Sequence, residues 1–326
     1  MAIDVLVVSA GATPGWRSAA GELSDSLGRS GASVRMVIAR PTRDVRTFML
    51  TDFVQARAAR RATVRAITEH EPRSIVYCSI TAALLWPRPG VIWLDAIAAE
   101  NRPGRHGMWQ RRLERRRIGQ AQLVLLMSER ALQPFPGPHP EAIVVPVPVE
   151  PSESAGRSRD IDVLAYAGDP VKRRLEYVLE AWSRARSGDE KLVVAGIDSE
   201  RELPGVRFAG RLAPVDYRAL LRRARLFVAA PTREDYGIAP LEALADGCML
   251  ATTPSPGPYP ALELARELDG RLVAEDLAPA IRAALDRPSP GYAERARELL
   301  APFRHEAVDA TIRRRVLPRL LPGLTP

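Results

Sequence analysis

The stretch Ala224-Arg-Leu-Phe-Val-Ala-Ala-Pro-Thr-Arg-Glu234-Asp-Tyr-Gly-Ile-Ala-Pro-Leu-Glu242-Ala-Leu-Ala-Asp-Gly247 decides how the rest of the chain is read. Its opening run, Ala224 to Ala230, has the length and apolar content of a buried strand, and Pro231 and Thr232 close it. Glu234 therefore falls at the carboxyl end of a parallel strand. Glu242 falls in the first turns of the helix that follows, which Pro240 can enter because an early helical N–H needs no intrahelical partner. A helix N-terminus aimed into a crevice at strand ends is an anion site, and phosphate is the usual anion. Two carboxylates in that place repel a bare phosphate. They suit a ligand that carries hydroxyls beside its phosphates, as a nucleotide sugar does.

Outward from this stretch, strand and helix alternate. Upstream lie a strand at 163–167, a helix at 175–186, strands at 191–195 and 206–209, and a helix at 214–224. Downstream lie a helix at 241–245, a strand at 249–252 and a helix at 277–285. The first half alternates in the same way: strands at 5–9, 34–39, 74–78, 91–94 and 122–127, with helical runs at 18–30 and 52–70. This pitch implies parallel sheets with helices on both faces. Between the halves the pattern breaks: Pro134 to Pro151 holds seven prolines, and a polar Ser- and Arg-rich stretch follows, which places a linker near 148–160. The domains expected are 1–150, 161–290 and a helical tail at 291–326, broken at Pro302 and Pro318. That tail either crosses back onto the first domain or caps its own.

Bulk properties narrow the class. A chain of 326 residues, 46% hydrophobic and 26% charged, has the make-up of two folded domains. No apolar run spans a bilayer, and the N-terminus reads as a first strand instead of a signal peptide, so a cytoplasmic protein is expected. Cys78 and Cys248 offer neither a metal cluster nor a disulfide framework. The net charge of +8 is concentrated in Asn101 to Arg117, where seven arginines face one acid, Glu114. Lys172 and Lys191 are the only lysines.

The spacing from Glu234 to Glu242, on a strand-turn-helix between two alternating halves, resembles the Glu-x7-Glu signature of the retaining glycosyltransferases of the GT-B type, the group 1 or family 4-like enzymes. The resemblance is specific in 161–286 and loose before it. It implies an α/β fold of two doubly wound Rossmann-like domains facing a cleft, an N-terminal acceptor domain and a C-terminal domain for a UDP- or GDP-linked sugar. It also implies residue roles. Glu234 holds hexose hydroxyls, Glu242 holds the ribose, and the backbone at Tyr236, Gly237 and Ile238 approaches sugar and diphosphate. Gly168-Asp-Pro-Val-Lys-Arg-Arg174 looks like the family's glycine turn followed by cations, so Lys172 and Arg173 grip the diphosphate and stabilise its growing charge. Gly210, Arg211 and Leu212 become contacts to the nucleobase. Gly196 reads either as a turn near the ligand or as a plain tight turn.

In the first domain Gly11 stands in the loop that usually meets the donor phosphates, though Gly11-Ala12 replaces the common glycine pair. Asp95 stands where many relatives have a histidine. It reads either as a catalytic carboxylate near the reacting centre or as the cap of a short helix. Three readings of the arginine-rich segment remain open: a solvated helix, an anionic-acceptor contact through Arg102, Arg105 and His106, or a peripheral contact with anionic lipid at the inner membrane face. The resemblance implies front-face transfer with retention, in which the leaving phosphate takes the acceptor's proton, and no metal or other cofactor. The acceptor expected is a glycan, a glycolipid or a small metabolite, and no nucleic-acid partner is expected. The competing reading is a non-catalytic GT-B-like protein that binds a nucleotide sugar or a partner glycosyltransferase.

Overall fold

The computed structural model describes residues 2–11, 13–40, 48–133, 135–152 and 159–322, and only the backbone of Phe48 and His106. Ala12 of the first glycine loop, residues 153–158 of the expected linker and the His106 side chain therefore lie outside the described residues. The chain divides into two units, Met1–Pro148 with Phe303–Pro326, and Val149–Pro302.

The first unit runs β1 (Val5–Ser9), α1 (Pro14–Arg29), β2 (Val34–Ile38), α2 (Phe48–His70), β3 (Ser74–Cys78), α3 (Ile80–Ala83), β4 (Val91–Leu94), α4 (Ala98–Asn101), α5 (Met108–Gln120), β5 (Leu123–Leu126) and β6 (Ala142–Val144). Its sheet has the order β2-β1-β3-β4-β5-β6, with every pairing parallel. β1, β3, β4 and β5 are buried along their whole length, which is why they read as unbroken apolar runs and not as alternating ones. One face packs Leu6, Ile75, Ile92 and Val124 against Ala59, Ala66 and Ile118 of α2 and α5. The alanines on the inner side of α2 let that helix approach the sheet closely.

The second unit runs β7 (Ile161–Tyr166), α6 (Leu175–Ala185), β8 (Leu192–Ala195), β9 (Val206–Gly210), α7 (Pro214–Arg223), β10 (Ala224–Ala229), α8 (Ile238–Ala245), β11 (Met249–Thr252), α9 (Pro260–Asp269), α10 (Leu277–Asp286) and α11 (Tyr292–Leu299). Its sheet has the order β11-β10-β7-β8-β9, again parallel throughout. The fold is thus α/β, with two doubly wound parallel sheets.

Several elements depart from the sequence reading. β6 forms inside the proline-rich stretch read as the end of the pattern; as an edge strand it needs hydrogen bonds on one side only, so flanking prolines are tolerated. α9 is absent from the sequence reading; Pro260 occupies its first helical turn, where a missing N–H costs nothing. The tail does not break at Pro318. α12 (His305–Thr311) continues through a π turn at Ile312–Val316 into α13 (Leu317–Leu320), whose first turn holds Pro318.

From Phe303 onward the tail belongs to the first unit, whereas α11 stays with the second. It docks on α1 through Arg29 Nε to Asp309 (2.6 Å) and His305 Nε2 to Glu22 (2.9 Å), with Val308, Ile312 and Val316 buried. Among the described residues no helix is long and apolar enough to cross a membrane.

Candidate functional site

In the second sheet the chain leaves β7 toward β8 on one side and later returns to pair β10 on the other. The loops after β7 and β10 therefore part, leaving a crevice at the carboxyl ends of these two strands. The backbone joins the two loops where Thr232 N–H donates to Lys172 O at 2.9 Å. Into this place the loop after β10 brings Glu234, whose residue exposure is 3%. Lys172 Nζ lies 3.5 Å from Glu234 Oε1, and Arg173 Nη1 bonds the other carboxylate oxygen. Burying a carboxylate this deep is costly unless cations lie beside it, and the β7 loop supplies two.

Local chemistry explains both loops. After β7, the Asp169 carboxylate accepts the Lys172 N–H (2.9 Å), its carbonyl accepts the Arg173 N–H (2.9 Å), and Pro170 O accepts the Leu175 N–H (2.9 Å). Arg174 then takes the left-handed conformation, φ 49°, turning the chain into α6 with its guanidinium 4.2 Å above the Tyr177 ring. After β10, the Glu234 N–H donates to Pro256 O (3.0 Å) and its carbonyl accepts the Tyr259 N–H (3.3 Å). A side chain on Gly257 would come within 2.2 Å of Glu234 O, so only glycine lets the 256–259 turn lie against this loop. Gly237, φ 83°, opens α8, whose first N–H groups point to the crevice end of the helix. Tyr236 beside it is buried.

Glu242 sits one turn into α8 with a cation of its own. Arg218 of α7 lies 3.3 Å from Glu242 Oε1 and 2.9 Å from Asp246 Oδ2, and it donates to Glu150 O at 2.6 Å. Burial raises the Glu242 pKa, Arg218 opposes that shift, and Asp246 adds to it. Asp246 also accepts from the Ser152 N–H (2.7 Å) and hydroxyl (2.6 Å), so Arg218 and Asp246 fasten the start of the second unit to the helix that carries Glu242. The Tyr217 hydroxyl, near Glu242, is buried without a hydrogen-bond partner among the described residues. Neither Tyr217 nor Arg218 is singled out by sequence; α7 reads there as an ordinary helix leading to a strand.

The tips of β7, β8 and β9 meet beside this place. Gly196 N–H donates to Gly210 O at 2.8 Å, and a side chain on Gly196 would lie 2.8 Å from the Gly168 nitrogen. Arg211 is exposed and pairs loosely with Asp198 (3.7 Å), and Leu212 is half-buried. The structure thus brings Lys172, Arg173 and Glu234 into contact and gathers Gly168, Gly196 and Gly210 at adjoining strand tips.

The first unit has a switch point of its own, between β1 and β3. Gly11, φ 64°, follows β1, where a side chain would press to 2.5 Å from Ile38 Cγ2. Ser79, φ 103° and ψ 154°, follows β3 in a conformation that favours glycine, a strain no sequence signal announces. Asp95 follows β4, half-buried, with Oδ1 accepting the Ala96 N–H at 2.8 Å. The short helix after it, α4, is not capped by Asp95. Glu114 of α5 accepts the Ala98 N–H at 2.7 Å, which removes the simple capping reading of Asp95. Burial raises the Glu114 pKa to about 7, partly offset by that N–H and by Arg102.

The arginine-rich segment is not uniform. Arg102 makes a two-pronged ion pair with buried Asp52 (2.8 and 3.2 Å), which ties it to the fold. Arg111 and Arg117 donate to the carbonyls of Gly104 (2.9 Å) and Leu84 (2.9 Å). Arg105, Arg112, Arg115 and Arg116 are exposed. Cys78 and Cys248 are buried, and burial pushes both thiols up, Cys248 to about 12. Among the described residues no cluster of three or more His, Cys, Asp or Glu side chains could hold a metal ion.

Residues 162–287 match the model of the family described as Glycosyl transferases group 1. No curated protein sequence matches the chain. Its structure is similar to sucrose-phosphate synthase from Thermosynechococcus elongatus, with a TM-score of 0.74 at 15% identity over 94% of this chain and 96% of that one. It is similar also to WaaG, a glycosyltransferase of lipopolysaccharide biosynthesis (TM-score 0.69, 16% identity, 94% and 99%), and to Anabaena HepE in complex with UDP and glucose (0.68, 15%, 95% and 98%). Identities this low speak for the fold. The chain has the GT-B glycosyltransferase fold, and its residues 162–287 are similar to the glycosyl transferases group 1.

Proposed function

We propose that this protein is a retaining hexosyltransferase that takes its sugar from a UDP- or GDP-linked donor and passes it to a hydroxyl acceptor. The observation that carries this reading is the convergence of Lys172, Arg173 and Glu234 at the switch point of the second sheet, beside the N-terminus of α8. The diphosphate takes the two cations and the helix end, while Glu234 turns to the hexose hydroxyls and Glu242 to the ribose. The similar HepE structures hold UDP with glucose and UDP-glucose, which puts uridine-linked donors first in any trial.

In the reaction the bond from the anomeric carbon to the diphosphate oxygen breaks, and its electron pair leaves with the diphosphate. Lys172 and Arg173 meet that growing charge. The acceptor oxygen bonds to the anomeric carbon on the face the diphosphate leaves, and its proton passes to the departing phosphate oxygen. The protein's task is then to hold two substrates and the leaving charge, with no metal required. Asp95 in the first unit accepts a hydrogen bond from the acceptor, which is a glycan, a glycolipid or a small metabolite.

The test is incubation with UDP- and GDP-hexoses, reading nucleoside diphosphate release and, by NMR, the configuration of the sugar product. Release from one donor, a product with the donor's anomeric configuration, and rates unchanged by a metal chelator are expected. An inverted product contradicts retention, and a chelator-sensitive rate contradicts the charge role given to Lys172 and Arg173.

A further inference from the structure

Helix α7 brings two hydrogen-bond donors near Glu242, and only one of them is engaged. Arg218 Nη1 lies 3.3 Å from Glu242 Oε1. The same guanidinium has fixed acceptors elsewhere: Nε lies 2.9 Å from Asp246 Oδ2, and Nη2 donates to Asp246 Oδ1 (3.0 Å) and to Glu150 O (2.6 Å). Arg218 can therefore release Glu242 and keep these other partners.

The second donor is Tyr217. Its hydroxyl oxygen is buried without a hydrogen-bond partner among the described residues, although part of the residue reaches the surface. Burial, and after it the charge of Glu242, push this hydroxyl well above its ordinary pKa, so it keeps its proton and acts as a donor. The ring packs edge-on against Tyr166, with 5.5 Å between centroids. Tyr166 in turn lies against the glycine turns at the tips of β7 and β8, where a side chain on Gly196 would come within 2.7 Å of its ring. Tyr217 is thus backed by the same strand tips that form the crevice.

We propose that Tyr217 is a positioning residue of the donor site: when ribose hydroxyls draw the Glu242 carboxylate away from Arg218, the Tyr217 hydroxyl donates to it and fixes it in the ribose-binding orientation. The inference rests on the reading of Glu242 as the ribose-binding carboxylate. A buried hydroxyl without a partner destabilises the free chain. The exchange removes that cost, because Arg218 retains Asp246 and Glu150 while Tyr217 gains an anionic acceptor. A bond made only in the complex strengthens binding and adds nothing to the free chain's stability. A tyrosine that merely filled space beside Tyr166 would need no hydroxyl.

Tyr217→Phe keeps the ring and removes the hydroxyl. The test is calorimetric titration of the unaltered chain and of this variant with UDP, with GDP and with the 2′,3′-dideoxy form of each, together with melting of both free chains. The nucleotide that the unaltered chain takes is expected to bind the variant about five- to ten-fold more weakly. Its dideoxy form, which offers Glu242 no ribose hydroxyl, is expected to bind both chains alike. The free variant is expected to melt at or above the temperature of the unaltered chain, since its missing hydroxyl had no bond to lose. Undiminished binding of the ribonucleotide, an equal loss with the dideoxy form, or a lowered melting temperature overturns the proposal and leaves the donor reading standing. Failure of the unaltered chain to bind either nucleotide overturns the donor reading, and this inference with it.

Discussion

Glu234 and the two cations that hold it set up a competition. Under the proposed function, a diphosphate that takes Lys172 and Arg173 must displace a carboxylate already bonded to both, and a hexose would reward that carboxylate for moving. Glu234→Gln removes the competitor and keeps the shape. The variant is expected to bind free UDP or GDP several-fold more tightly by calorimetric titration, because two partly exposed cations lose their internal anion. The same change is expected to lower hexose transfer by roughly 100-fold, since charge-assisted bonds to the hexose are lost in the transition state. Weaker nucleotide binding by the variant contradicts the assignment. Glu234, Lys172 and Arg173 are legible in the sequence because each lies in a loop marked by glycine or proline directly after an apolar run. Arg218 is not legible. It sits on a helix of mixed charge, and only the packing of α7 beside α8 brings it to Glu242.

At the scale of elements, α4 depends on a residue from another helix. The Glu114 carboxyl has a pKa of about 7 in the folded chain against about 4.3 for an ordinary glutamate. A raised carboxyl pKa contributes stability that is fully present below the ordinary value and lost as pH rises through the folded one. Glu114→Gln should therefore melt above the unaltered chain at about pH 8 and lose that advantage toward about pH 4, with a change of at most roughly 4 kcal/mol. Parallel melting curves across that range contradict the shift. The strands are the most legible elements, because burial on both faces writes each one as a short unbroken apolar run. Proline is where legibility fails. The stretches around Pro146 and Pro318 read as interruptions, yet the structure uses them beside an edge strand and in a first helical turn, where a missing N–H goes unnoticed. Which of two readings fits the tail is likewise illegible, since its apolar stripe suits either unit.

At the scale of the molecule, the tail closes the first unit from the far end of the sequence. Ile312 lies in its π turn, fully buried, and Ile312→Ala is expected to cost about 2–5 kcal/mol, measured by denaturant unfolding. A loss under about 0.5 kcal/mol, the range of surface changes, would show the tail to be loosely held. The proposed transfer requires the second switch point to be a nucleotide-sugar site. The most direct test is thermal melting with a panel of UDP-, GDP- and ADP-sugars, repeated on Lys172→Ala and Glu242→Ala. A ligand at 100 times its dissociation constant adds about 2.7 kcal/mol of stability. The account predicts a shift with one nucleotide that both variants lose; no shift with any of them, or a shift that survives both substitutions, contradicts it.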